Sequence, residues 1–175
     1  MKTIFEIRTV QTKDILRRTA ARIMRMKLII HAVVLIAIAI GFAAFVLSKQ
    51  IASAYFFSAA FGLSCVGLAI YRFDSVPRKY AERTYSEMVM IHREPVISQI
   101  SVNSDAICVE NCHMHTVHRY SWAEIKGILE DSGLFLLKTE KGSYIIIDKT
   151  GFQCGDADSF RSFVLKSQKD CQGMN

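Results

Sequence analysis

Residues 28–47 read LIIHAVVLIAIAIGFAAFVL, and residues 51–71 read IASAYFFSAAFGLSCVGLAIY. Neither run holds a formally charged residue, and the first contains a single histidine, His31. A helix rises about 1.5 Å per residue, so about 20 residues cross a hydrocarbon core about 30 Å thick. Each run meets that length. Ser48, Lys49 and Gln50 alone separate them, which folds the pair into an antiparallel helical hairpin. A soluble domain of this size rarely hides two adjacent uncharged runs this long. A cleavable secretion signal does not fit either: its apolar core is about 7–15 residues, and here a second apolar run follows at once.

The rest of the composition agrees with a membrane chain. The 175 residues are 51% hydrophobic and 22% charged, with a formal charge of +6, which excludes a disordered polymer because there is ample apolar surface to bury. Residues 1–27 carry eight basic side chains and residues 72–83 carry four, whereas Lys49 is the one base in the link. The positive-inside rule therefore places both termini in the cytoplasm. A reducing cytoplasm suits the cysteines, with Cys108, Cys112, Cys154 and Cys171 as free thiols and Cys65 inside the second span.

In a tight hairpin, positions summing to about 99 share one depth, so Gly41 lies level with Ser58 and Ala37 with Gly62. Small residues four apart let helices approach closely in lipid, and Ala37-xxx-Gly41 is expected to pack on Ser58-xxx-Gly62. The same small-residue faces offer a route to self-association. His31 lies within one turn of the basic edge and is expected at the headgroup layer.

The flanks carry their own signals. Residues 3–10 alternate as TIFEIRTV, a half-buried strand. Thr12 can cap a basic amphipathic helix starting near Lys13, with Ile15, Leu16, Ile23 and Met24 on one stripe. Such a helix suits an anionic membrane surface; its charge abuts a span, so nucleic acid is not an expected partner. After the second span, Pro77 suits the first turn of a new helix running to about His92, with Pro95 beyond it.

From residue 96 the pattern changes to short alternating runs between turn residues. Strands are expected at 96–102, 106–110, 115–120, 126–130, 133–138 and 143–147, with a tight corner at residues 121–125. Gly133 and Gly142 are expected to supply positive φ at hairpins. Asp156 or Asp158 caps a last helix whose apolar face is Phe160, Phe163 and Val164. The expected organisation is an N-terminal strand and basic helix (1–27), a transmembrane hairpin (28–71), a helical linker (72–95) and a cytoplasmic β-domain (96–175). Residues 3–9 are a candidate seventh strand. The fold class is a membrane α+β protein, a two-helix hairpin followed by a small antiparallel roll with a C-terminal helix.

The run Ser121-Trp122-Ala123-Glu124-Ile125, then Ile128 to Asp131, Leu134 to Leu137 and Ile145 to Phe152, resembles the YcxB-like bacterial membrane proteins. Asp148 stands where that pattern has proline before the lysine, here Lys149. The resemblance implies two adjacent spans, a pleckstrin-homology-like cytoplasmic roll and residence in the cell inner membrane. It implies no biochemical activity. On the residues themselves, Trp122 is expected to anchor the domain core, Phe152 to pack under the last helix and Lys149 to face solvent.

The sharpest chemical feature is Cys112-His113-Met114-His115-Thr116-Val117-His118. On a regular strand His113 and His115 share one face, and with Cys112 they make a candidate site for Zn²⁺. No phosphate-binding glycine loop, HExxH or GxSxG motif occurs, so no catalytic residue, no organic cofactor and no enzymatic activity are expected. The expected function is presentation of a cytoplasmic β-domain to a protein partner or to the bilayer surface. The alternatives are a metal-responsive sensor using Cys112, His113 and His115, or a subunit of an oligomeric transporter.

Overall fold

Alternation and helical periodicity turn into eight strands and three helices in the computed structural model, which describes residues 3–49 and 52–172. Strand β1 (Phe5–Val10) buries Phe5, Ile7 and Thr9 and exposes Glu6 and Arg8, as its alternation dictates. Helices α1 (Lys13–Lys49) and α2 (Ala52–His92) follow. Then come β2 (Ile97–Val102), β3 (Ala106–Asn111), β4 (Thr116–Ser121), a short 3₁₀ corner at Trp122–Glu124, β5 (Ile125–Glu130), β6 (Leu134–Thr139), β7 (Tyr144–Asp148), β8 (Phe152–Cys154) and α3 (Ala157–Gln172).

The chain divides into two compact units. One is drawn from the chain up to Thr19 and from Glu82 onward; the other is Ala20–Ala81.

In the first unit, β1 is an inner strand. The larger sheet has the order β4-β3-β2-β1-β8, and β5-β6-β7 forms a second sheet. All six residues of β1 pair with β2, from Phe5↔Val102 to Val10↔Ile97. On its other side β1 pairs with β8 through Glu6↔Cys154 and Ile7↔Phe152. The two sheets meet along β1 and β7: the Asp148 amide donates to Thr9 Oγ1 at 3.2 Å, and the Arg8 amide donates to the Gly151 carbonyl at 2.8 Å. This approach is why Gly151 has no side chain, since a Cβ there would overlap the Arg8 carbonyl oxygen. Phe5, Ile7, Ile100 and Val102 from the first sheet and Phe135, Leu137, Ile145 and Ile147 from the second form one core. Helix α3 closes it with Phe160 and Val164. Two antiparallel neighbours in this sheet, β1 and β2, are thus separated in sequence by the whole helical hairpin.

Local signals end the helices as expected. Thr12 Oγ1 accepts from the Ile15 amide at 3.3 Å at the start of α1. Asp156 Oδ1 accepts from the Asp158 and Ser159 amides at 3.1 and 2.9 Å at the start of α3. Positive φ falls at Gly142 and Gly155, not at Gly133. At Gly133 the constraint is proximity, because a Cβ would lie 3.1 Å from an Arg18 guanidinium nitrogen. Pro77 lies inside α2 rather than at the start of a new helix. Proline removes one i→i−4 hydrogen bond, but residues 72–92 contain no glycine and the helix continues on both sides.

In the second unit the facing sides of the two helices differ from the depth argument. The less exposed residues of α1 between residues 25 and 48 are Leu28, Ala32, Leu35, Ala39, Ala43 and Val46, and those of α2 between residues 55 and 70 are Ser58, Gly62, Cys65 and Ala69. Phe42 and Phe61 touch, with ring centroids 5.1 Å apart. Ala39 and Ala43 line an apolar groove of about 460 Å³ together with Ser58 and Gly62. Ala37 and Gly41 are exposed instead, and a Cβ at Gly41 would meet nothing within 4 Å. Depth was set by the hairpin sum, but the face is set by about 100° of rotation per residue, and two residues turn α1 to its far side. Residues 50–51, which include the end of the expected Ser48-Lys49-Gln50 link, lie outside the described residues. Both helices are long and apolar enough to cross a membrane, and only 6% of each apolar window is buried within the chain. The core helix of a soluble protein would bury most of that surface.

Candidate functional site

Cys112, His113 and His115 lie in the β3–β4 turn, not on a strand. The turn forms because Asn111 Oδ1 accepts from the His113 amide at 3.0 Å and the Met114 amide at 3.2 Å, competing with continued pairing. His115 closes it with φ of 48°, a left-handed conformation. The expectation that His113 and His115 share a strand face therefore fails. His113 turns the other way, toward the end of α2: its Nε2 donates to the Pro95 carbonyl at 3.0 Å, and its ring lies 6.0 Å from that of His92. His118 sits on β4 opposite Val109. Among the described residues, no three His, Cys, Asp or Glu side chains gather around one point. His92 was not singled out by sequence, because it lies 21 positions before His113 with a helix end and a strand pair between them.

His31 satisfies its ring locally, with Nδ1 donating to the Lys27 carbonyl at 2.6 Å one turn back.

A second cluster surrounds Glu130 at the end of β5. Its Oε1 takes Lys149 Nζ at 2.7 Å and its Oε2 takes Arg161 Nε at 3.0 Å. Lys149 also lies over the Phe135 ring, 4.6 Å from its centroid. Expected in solvent, the Lys149 side chain is only 19% exposed. The reason is topological: the β7–β8 turn places Lys149 beside Glu130, where the Lys149 amide also donates to the Gly133 carbonyl. The Lys149 hydrogen bond, aided by the charges of Lys149 and Arg161, holds the Glu130 carboxyl below the usual carboxylate range against a smaller opposing effect of burial. Depression of a folded-state pKa gives stability that is present above the unfolded value, near 4.3, and lost as pH falls through the folded value. Glu130→Gln should therefore lower stability by about 1 kcal/mol at pH 7, a modest figure because the pair is partly solvated. The difference from the wild type should vanish near pH 2. Urea unfolding followed by the fluorescence of Trp122, the single tryptophan, measures both, and an equal deficit at both pH values would refute the assignment.

Trp122 stands at the corner between the sheets, 4% exposed, with Nε1 donating to the Asn103 carbonyl at 3.3 Å and its ring 5.4 Å from Phe163. The corner is fixed by Glu124, whose carboxylate accepts from the Ser121 amide at 2.7 Å and hydroxyl at 2.9 Å. Those bonds, the amide's first, draw the Glu124 carboxyl below its ordinary pKa. Phe152 packs against Phe160 beneath α3, at 5.6 Å between centroids.

A cavity of about 100 Å³ lies in this unit, lined by Gln11, Ser98, Ile100, Val109, Tyr120 and Tyr144 among others. It holds no carboxylate, histidine or cysteine, and no nucleophile–base pair faces it. The sheet edge at β4 is more open: β4 pairs with β3 alone, and Val117, His118 and Arg119 on it are exposed.

No match was found among curated proteins. A family model described as YcxB-like protein matches residues 118–164. That stretch runs from β4 into α3 and contains the Trp122 corner, Glu130, Lys149, Phe160 and Arg161, but not His92, Cys112, His113 or His115. Over these residues, from the edge strand to the closing helix, the chain is similar to the YcxB-like family.

Proposed function

We propose that this is an integral membrane protein whose helical hairpin is inserted between the first two strands of a pleckstrin-homology-like cytoplasmic roll, and that the roll binds a protein partner along β4. The pairing of β1 with β2 carries this reading. The chain leaves the sheet at Val10 and returns to it at Ile97, directly opposite. A hairpin so anchored begins and ends on one side of a bilayer, whatever its charge. The excess of basic residues on both flanks of the spans supports the cytoplasmic side. At 37 residues α1 is about 56 Å long, more than a hydrocarbon core needs, and the surplus is its basic N-terminal part.

The partner surface follows from the sheet. An edge strand offers unpaired amides and carbonyls that an extended segment can pair with. A photo-reactive amino acid in place of Val117, in native membranes, tests side and surface together. The expected product is one discrete adduct with a cytoplasmic protein. Adducts with lipid alone would favour docking of the roll on the bilayer, and adducts with proteins of the opposite compartment would overturn the orientation.

A further inference from the structure

We infer that His92 and His113 together bind one borderline transition-metal ion of the Zn²⁺, Ni²⁺ or Cu²⁺ class, tying the end of α2 to the β3–β4 turn. This site stands independently of the membrane reading and differs from the set that sequence adjacency suggests.

Three observations point to it. First, the rings lie 6.0 Å apart between centroids, on two different elements. With metal–nitrogen bonds of about 2.0–2.1 Å, two imidazoles on one tetrahedral ion have centroids about 5–6 Å apart, so a small side-chain rotation suffices. Second, His113 Nε2 contacts the Pro95 carbonyl at 3.0 Å. A carbonyl only accepts, so Nε2 carries a proton, and Nδ1 is the nitrogen whose lone pair a metal ion can take. Metal-bound histidines commonly donate their second N–H to a backbone carbonyl in this way, which fixes the tautomer and raises ligand basicity. Third, both backbones are already held. Asn111 Oδ1 ties the turn, and the Cys112 amide donates to the Ile97 carbonyl at 2.9 Å. At the other side, α2 ends with the Arg93 amide donating to the Val89 carbonyl at 2.7 Å, and Arg93 has φ of 62°.

With two protein ligands, water completes the coordination, consistent with the absence of a three-residue cluster among the described residues. Binding is then a clamp: an ion held by both rings stabilises the docked position of the helix end relative to any state in which the turn and helix part.

The test is calorimetric titration of the full chain in detergent with Zn²⁺ alone, and again with Ni²⁺. One ion per chain is expected. His92→Ala and His113→Ala should each weaken binding by about tenfold or more. His115→Ala and Cys112→Ser should leave it within about twofold. His113→Gln, which keeps a donor toward Pro95 while removing the ligand, guards against a disrupted turn and should behave as His113→Ala. Loss of affinity from Cys112→Ser or His115→Ala with His92→Ala unaffected would overturn the proposal in favour of the sequence-adjacent cluster. Absence of stoichiometric binding by the wild type would overturn it outright.

Discussion

A chain in which residues 12–95 are replaced by a two-residue Asn-Gly turn is expected to be soluble and to unfold cooperatively, whereas residues 96–175 alone are not. The reason lies in β1. Its six residues pair with β2 on one side, and on the other it meets β8. Removing it opens the larger sheet between β2 and β8 and takes Phe5 and Ile7 out of the core. It also removes Thr9, which is fully buried and receives the Asp148 amide across the two sheets. The joined chain keeps all of these. Gln11 and Val96 already face each other, with the Gln11 amide donating to the Val96 carbonyl at 2.9 Å, and a two-residue turn spans such a pair. The hydrophobic cluster that joins the two sheets to α3 includes none of the helical residues lost. Trp122 fluorescence during urea unfolding reads the outcome. A sharp transition from residues 96–175 by themselves would show that β1 is an accessory strand and sink the argument for an inserted hairpin.

Phe160→Ala is expected to cost about 3–5 kcal/mol, the range for a fully buried aromatic ring. Phe160 is 0% exposed, and its ring lies 5.4 Å from Phe5, 5.5 Å from Phe135 and 5.6 Å from Phe152. Phe5 and Phe152 come from the larger sheet and Phe135 from the smaller, so this one side chain joins both sheets to α3. The neighbours sit on paired strands and cannot collapse into the space, which places the cost toward the upper end. Edge-to-face contacts add to the loss beyond area alone. A domain of this kind has about 5–15 kcal/mol in total, so the substitution removes a large part of it. Leu165→Ala on the same helix, at a site 41% exposed, should change stability by less than about 0.5 kcal/mol. The urea midpoint should fall for Phe160→Ala at an unchanged slope. A loss no greater than that of Leu165→Ala would show that α3 does not close the core.

Periodicity made the local elements legible. Two uncharged runs of about twenty residues read as long helices, and the short apolar runs between turn residues from Val96 to Ile147 read as short strands. Seven of the eight strands lie within a residue or two of where alternation puts them, and the capping roles of Thr12 and Asp156 follow from their side chains. Trp122 is in the core because no other residue of its size stands at the corner. Strand β8 was missed because three residues show no period.

What the sequence by itself determined is therefore the first seven strands, the apolar hairpin and the stretch similar to the YcxB-like family. These depend on neighbours within a few residues, whose chemistry is written side by side. The tertiary structure alone decided which elements meet. It placed β1 inside the sheet, turned Ala39 and Ala43 rather than Ala37 and Gly41 toward α2, drew Lys149 onto Glu130 and set His92 against His113. Each of these contacts is fixed by strand register, by helix rotation or by a turn that reverses the chain, and none leaves a mark in the sequence around it.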